Sequence, residues 1–513
     1  MVLTKFSIVV LTLICFVRGI YGWQFPFKMM NNLSPQANQF MDKVVSQFQA
    51  SFHNNEDVEF EHYSTIPDDE LPIELLQYTD DVVARVNFTG NDHLRRFLLS
   101  KGDERRQEIQ FKVWSRSHTQ NFIDLQINED NLIKLVEKFT SPEYELKYDI
   151  IIEDLAQKVF ETYPKDYKKR NNIKGKYIGK NSYQHEATAE VVNSMEADVF
   201  SELFFREYRP LETINAWLDI IQQTFPEIVT LEDIGQTFEH RSYKVVHFSV
   251  KDDETEHEPK KTIVITGGVH AREWISVSSV LYTIYSMLNY YQENPNIFAN
   301  LDFLFIPVLN PDGYEYTWNT DRLWRKNRQQ TLLPRCFGID IDHSYDYHWT
   351  YSSDWACGED YSGEEPFEAI ESKIWNDYLN ATNDDHKIYG YIDLHSYSQE
   401  ILYPYAYSCN ENPRDEENLI ELAYGVAKSI RLQTGKTYNV LPACQDKDLD
   451  LLPDLGSGSA LDFMYHNKAF WAYQLKLRDS GSHGFLLPGK YIIPVGKEIY
   501  AGIRYFCNFV LNE

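Results

Sequence analysis

From about residue 200 to the end of the chain, short strand-like apolar runs alternate with longer helical ones, and no other feature limits the architecture as strongly. The runs are Lys244 to Val250, Thr262 to Thr266, Phe303 to Val308, Tyr389 to Leu394 and Phe470 to Leu477. The helical stretches are amphipathic: in Val277 to Leu288, the residues Val277, Val280, Leu281, Ile284 and Leu288 recur at helical spacing. Strands met one at a time between helices predict an α/β unit with helices over a largely parallel or mixed sheet. A chain of 513 residues exceeds the usual limit for one core, so further units are expected. With 43% hydrophobic residues the chain has material for real cores, which excludes disorder throughout.

One further unit is legible upstream. Apolar alternation from Val82 to Phe88, a helical stretch near Leu94 to Leu99, strands at Ile109 to Trp114 and Phe122 to Ile127, a helix from Asn131 to Phe139 and a strand at Tyr148 to Ile152 follow one another. That order, β-α-β-β-α-β, predicts a ferredoxin-like α+β unit over 78–164. Residues 23–77 are polar and weakly patterned, with the acidic cluster Asp68, Asp69 and Glu70, and are expected to be poorly ordered. Residues 165–199 form a basic linker, with Lys165, Lys168, Lys169, Arg170, Lys174, Lys176 and Lys180 against the single acid Asp166 up to residue 180. A solvated connector is the simplest reading; protease recognition or attachment to an anionic polymer are the alternatives.

At the N-terminus, Lys5 precedes a mostly apolar run from Phe6 to Val17, with small residues Gly19 and Gly22 as cleavage points. This is the layout of a secretory signal peptide over 1–22, leaving a protein without a membrane span, outside the cell or in a lytic compartment. Five cysteines remain after Cys15. Local pairing joins Cys336 to Cys357 and Cys409 to Cys444, and leaves Cys507 among Tyr505, Phe506 and Phe509 as a buried thiol. The triplets beginning at Asn32, Asn87 and Asn380 are glycosylation sequons. A formal charge of −28, from 49 Lys and Arg against 77 Asp and Glu, argues against a nucleic-acid partner.

The chemistry concentrates where the strand Thr262 to Thr266 runs into Gly267-Gly268-Val269-His270-Ala271-Arg272-Glu273-Trp274. His270 and Glu273 lie three apart at a strand-to-helix turn, where α/β folds place ligands. His395, in Asp393-Leu394-His395-Ser396-Tyr397, ends another strand. Two imidazoles and one carboxylate make a three-ligand zinc site with one position open.

These segments, with Asn310-Pro311-Asp312-Gly313, Arg322-Leu323-Trp324-Arg325-Lys326 and Leu477-Arg478-Asp479-Ser480-Gly481, resemble the zinc carboxypeptidases of the A/B type, in order and spacing across 200–513. The ferredoxin-like unit, with Ile151-Ile152-Glu153-Asp154, resembles their inhibitory prodomain, which implies that it packs on the cleft. The resemblance implies one zinc ion per chain on His270, Glu273 and His395, with Asp340 orienting the first imidazole. It implies that Arg272, Arg322 and Arg325 handle substrate carbonyls and the oxyanion, and that Ser396 and Tyr397 line a subsite. It also implies the bridges Cys336 to Cys357 and Cys409 to Cys444.

The departures bear on activity. The family's general base is a Glu immediately before Leu-Arg-Asp, and this chain has Lys476 there. An ammonium accepts no proton from zinc-bound water and is repelled by the dication. Gln474, two residues earlier on the same strand face, does not titrate. Where the family carries Asn-Arg to clamp the substrate carboxylate, this chain has Asp342-His343. The family's capping tyrosine falls near Asp454, and Leu461 aligns with the specificity pocket. The combination resembles the fungal inactive metallocarboxypeptidase-like proteins, secreted or vacuolar and linked to cell wall organisation. The expectation is a zinc-binding, catalytically inactive protein with a peptide, protein or wall-component ligand. The alternatives are an active carboxypeptidase with an atypical base and a metal-independent binding module.

Overall fold

The computed structural model describes residues 73–99, 108–117, 121–141, 144–164, 204–250, 260–293, 300–350, 355–446 and 456–512. The signal peptide, most of 23–77, the linker 165–199, Asn32 and Asp454 lie outside these residues.

The first sheet contains β1 (Asp81–Asn87), β2 (Phe111–Ser117), β3 (Phe122–Asn128) and β4 (Lys147–Ile152), in the order β2-β3-β1-β4. Neighbouring strands are antiparallel, and helices Asp92–Leu99 and Glu129–Phe139 connect them in the ferredoxin-like sequence. Asn128 caps the second helix through its side chain, Glu129 and Asp130 occupy its first turn, and Leu132, Leu135 and Phe139 bury one face. Strand β1 is buried on both sides. Val82, Ala84 and Val86 join a small core with Leu125 and Leu135, while Val83 faces the larger core. Helix Leu155–Thr162 also buries Leu155, Val159 and Phe160 in that larger core.

The second sheet has eight strands: β5 (Val229–Gln236), β6 (Ser242–Phe248), β7 (Lys261–Gly267), β8 (Leu301–Ile306), β9 (Lys387–Ser396), β10 (Glu400–Tyr403), β11 (Asn439–Pro442) and β12 (Trp471–Leu477). Their order is β11-β10-β12-β9-β7-β8-β6-β5. The centre is parallel (β12, β9, β7, β8) and the pairs β10–β12, β6–β8 and β5–β6 are antiparallel, so the sheet is mixed. Helix Ile492–Asn512 packs against both Trp274–Glu293 and Glu416–Thr434, and the three bury residues such as Val280, Ile284, Leu422, Ile499 and Phe506. This is the carboxypeptidase-like α/β fold with flanking helices. Edge strand β5 and the four-residue strands β10 and β11 bury too few side chains to leave a pattern in the sequence.

Cys336 bonds to Cys357 and Cys409 to Cys444, as expected. Cys507 is free and buried, and burial pushes its thiol up to about 12. Asn380 is exposed, its Oδ1 accepting from Lys468, while Asn87 is half-buried at the end of β1. Among the described residues no helix is long and apolar enough to cross a membrane.

Two fully buried acids set a pH dependence. Burial pushes Glu371, bonded to Asn327 Nδ2 at 2.7 Å, up to about 7. Burial also raises Asp462 to about 7, although it accepts from the Ala406 and Tyr407 amides. A carboxyl raised in the folded state gives stability that is complete below its unfolded pKa and lost as pH rises through the folded one. Unfolding free energy is therefore expected to increase by on the order of 2 kcal/mol between pH 7.5 and 6. Chemical denaturation at the two pH values, with and without Glu371→Gln, measures it; a flat profile contradicts it.

Candidate metal centre

The turn after β7 places the first two donors. Gly267 and Gly268 let the chain turn against helix Trp274–Glu293: a Cβ on Gly267 would meet Val280 Cγ2 at 2.8 Å, and Gly268 has φ +68°. The Ser276 hydroxyl accepts from the Gly268 amide at 3.0 Å and donates to the Glu273 carbonyl at 2.7 Å. His270 and Glu273 are thereby fixed, at 4% and 2% exposure. His395 comes from the C-terminal end of β9, beside Lys476 of β12 in register.

The three side chains converge. His270 Nδ1 lies 2.8 Å from Glu273 Oε1, His395 Nδ1 lies 3.2 Å from Glu273 Oε2, and the two Nδ1 atoms are 3.2 Å apart. Each imidazole turns its other nitrogen to a carboxylate: His270 Nε2 to Asp340 at 3.2 Å and His395 Nε2 to Asp393 at 3.0 Å. With a metal ion bound between the three side chains, those carboxylates would hold the protons on Nε2 and leave both Nδ1 atoms as ligands. His270, Glu273 and His395 form a group that could hold a cation. Their spacing matches ligands ~2.0–2.1 Å from a tetrahedral zinc ion, which are about 3.3 Å apart.

With no ion between them, His395 and Glu273 form an ion pair, and a metal would have to displace a proton. Burial would raise the Glu273 pKa, but His270 and His395 hold its carboxylate well below the usual range. Burial would lower His395, yet Asp393 and Glu273 push it up to about 10. Arg325 grips the other oxygen of Asp340 at 2.8 Å.

Asp393 is a residue that the sequence reading quoted without assigning it a role. It sits two residues from His395 on the same strand face and is held by Thr266 Oγ1 at 2.6 Å, so strand alternation could have revealed it. Gln474 was passed over as merely non-titrating. Its amide nitrogen lies 2.8 Å from His395 Nε2 and donates to Asp342 Oδ2 at 3.3 Å. Asp342 and His343 are both 1% exposed, and His343 Nδ1 lies 3.0 Å from the Ser457 carbonyl oxygen. Lys476 alternates with buried Leu475 and Leu477, and its Nζ lies 3.9 Å from Glu400 Oε2 on the neighbouring strand. Nothing in the sequence singled out Glu400.

The arginines have structural partners. Arg272 pairs with Glu359 at 3.1 Å and lies 4.3 Å from the centre of the Phe485 ring. Arg322 donates to the Arg272 and Phe485 carbonyls at 2.8 and 3.0 Å, and burial lowers its pKa to about 10. Ser396 donates its amide to Glu273 Oε2 at 3.0 Å. Tyr397 reaches the first sheet: its hydroxyl donates to Asp124 Oδ2 at 2.8 Å. Asp124 also accepts from Arg85 at 2.7 and 2.8 Å, and Arg85 donates to the Ser480 carbonyl at 2.9 Å.

Residues 214–502 match the zinc carboxypeptidase family. The chain belongs to that family. Among relatives of this carboxypeptidase homologue, the inactive metallocarboxypeptidase ECM14 of Saccharomyces cerevisiae is 58% identical over 314 residues, covering 61% of this chain and 73% of that protein. The protein of the same name from Ajellomyces dermatitidis is 37% identical over 457 residues, covering 85% and 73%. The crystal structure of thrombin activatable fibrinolysis inhibitor shares the fold at TM-score 0.67 and 23% identity, covering 85% of this chain and 100% of that one. This homologue is a non-catalytic member of the zinc carboxypeptidase family, and the family implies zinc.

Proposed function

We propose that the protein keeps a zinc ion on His270, Glu273 and His395 and uses the centre to hold its fold and a ligand surface rather than to cleave peptides. The observation that carries this reading is the convergence of two imidazole nitrogens and a carboxylate, each imidazole backed by a second carboxylate. A bound zinc ion would supply a dication and a Lewis-acid centre there. Around it, Lys476 stands at the base position and Asp342 and His343 at the clamp position, as the resemblance aligns them. Gln474 lies between His395 and Asp342 and donates to Asp342 Oδ2, across the ground where a substrate carboxylate would lie. The ferredoxin-like unit acts as a prodomain-like cover, supported by the Asp124 contact to Tyr397. The two disulfides and the N-terminal apolar run support a secreted or vacuolar setting, and the resemblance points to cell wall organisation.

Native mass spectrometry of the full-length protein tests the metal. Zinc should be present in the wild type, and His270→Ala or His395→Ala should each lose one ion per chain. A wild type that stays metal-free in excess zinc, or variants that keep the same count, would refute the reading.

A further inference from the structure

A second set of zinc donors lies at the opposite end of the main sheet. Asp302 is the second residue of β8, His247 the penultimate residue of the antiparallel strand β6, and His386 immediately precedes β9. The centre at His270 and His395 instead occupies the C-terminal ends of β7 and β9. One donor atom from each of His247, Asp302 and His386 lies within 4.8 Å of the other two.

The polar atoms of this cluster are oriented but not satisfied by one another. Ser249 Oγ donates to Asp302 Oδ1 at 2.7 Å, leaving Oδ2 3.7 Å from His247 Nε2. That is too long for a hydrogen bond, and close to the spacing of about 3.3 Å between two ligands of one zinc ion. His247 Nδ1 faces Glu232 Oε1 at 3.6 Å, and Glu232 is itself held by the Tyr378 hydroxyl at 2.9 Å. His247 thus has a carboxylate on either side of its ring. His386 is 8% exposed, and its Nδ1 and the Nε2 of His247 are both buried without a hydrogen-bond partner. The two rings meet edge to face with centroids 4.9 Å apart. Side-chain exposures of 22% for His247 and 12% for Asp302 leave a way in from solvent.

We propose that His247, Asp302 and His386 bind a second, structural zinc ion, which ties the β6–β8 side of the sheet to the segment entering β9. Two imidazoles and one carboxylate suit zinc, and a cation shared between them gives both buried ring nitrogens a partner. No part of this inference depends on the centre at His270.

The test is a zinc count on the full-length protein by native mass spectrometry, with the chelator concentration varied. Two ions are expected in the wild type. His386→Gln should weaken one of them at least about 100-fold and leave the ion sensitive to His395→Gln in place. Asp302→Asn, which keeps a hydrogen-bonding side chain beside Ser249, gives the same reading should His386→Gln fold poorly. Zinc should still raise the thermal midpoint of His395→Gln, and should no longer do so when His386→Gln is added. A wild-type count of one that both His386→Gln and Asp302→Asn retain, or a second ion unaffected by either, overturns the proposal. A single wild-type ion that His386→Gln or Asp302→Asn removes and His395→Gln leaves in place would refute the central site and leave this one standing.

Discussion

Incubated with a mixed peptide library, the zinc-loaded protein is expected to release no C-terminal residues, before or after limited tryptic digestion, and Lys476→Glu is expected to release few or none. A positioned general base contributes roughly 10²–10⁴ in rate, and misplaced reactants can cost a further ~10². Returning a carboxylate to position 476 addresses only the first loss. Residue 476 lies opposite Glu400 in the β10–β12 register, so the new carboxylate would face a second acid, which disfavours its ionised form. A substrate carboxylate would still meet Asp342, with Gln474 spanning the space and His343 turned to the Ser457 carbonyl. Adding Asp342→Asn and His343→Arg should recover at most a trace. Mass spectrometry of the library decides the matter: clear trimming by the unmodified protein, abolished by Glu273→Ala, would establish an active enzyme.

Glu498→Ala is expected to destabilise the protein by about 3–5 kcal/mol, because it strands a buried cation. Glu498 is 0% exposed on the last helix and accepts from Arg478 Nε at 3.0 Å and Nη2 at 2.6 Å. Thr434 and Tyr438 donate to the same carboxylate at 2.7 and 2.8 Å. One side chain therefore joins the end of β12, the C-terminal end of helix Glu416–Thr434, the Tyr438 loop and the last helix. Removing it leaves Arg478, 7% exposed, with no counter-charge among these contacts. Chemical denaturation should show the full loss, while the zinc count stays unchanged because no ligand is touched. A loss under about 1 kcal/mol would mean that water reaches Arg478 and replaces the pair.

What the sequence determined by itself was whatever depends on local period and local chemistry. Alternation and helical spacing were enough for the ferredoxin-like order and for the five strongly patterned strands of the main sheet, because buried strands and amphipathic helices repeat within a few residues. The convergence of His270, Glu273 and His395 was legible because each sits at a strand end in a recognisable segment, and both disulfides join cysteines that neighbour one another along the chain. Tertiary structure alone decided the rest. Strand β5 lies at a sheet edge and β10 and β11 are four residues long, so their place comes from pairing partners rather than from their own pattern. The partners of the site are long-range for the same reason: Glu400 meets Lys476 across a strand pair, Asp124 reaches Tyr397 from another sheet, and His247, Asp302 and His386 come together from three separate strand ends. A hydrogen bond or a metal ligand set depends on proximity in space, and a single sequence carries no period that encodes which distant segments the folded sheet makes neighbours.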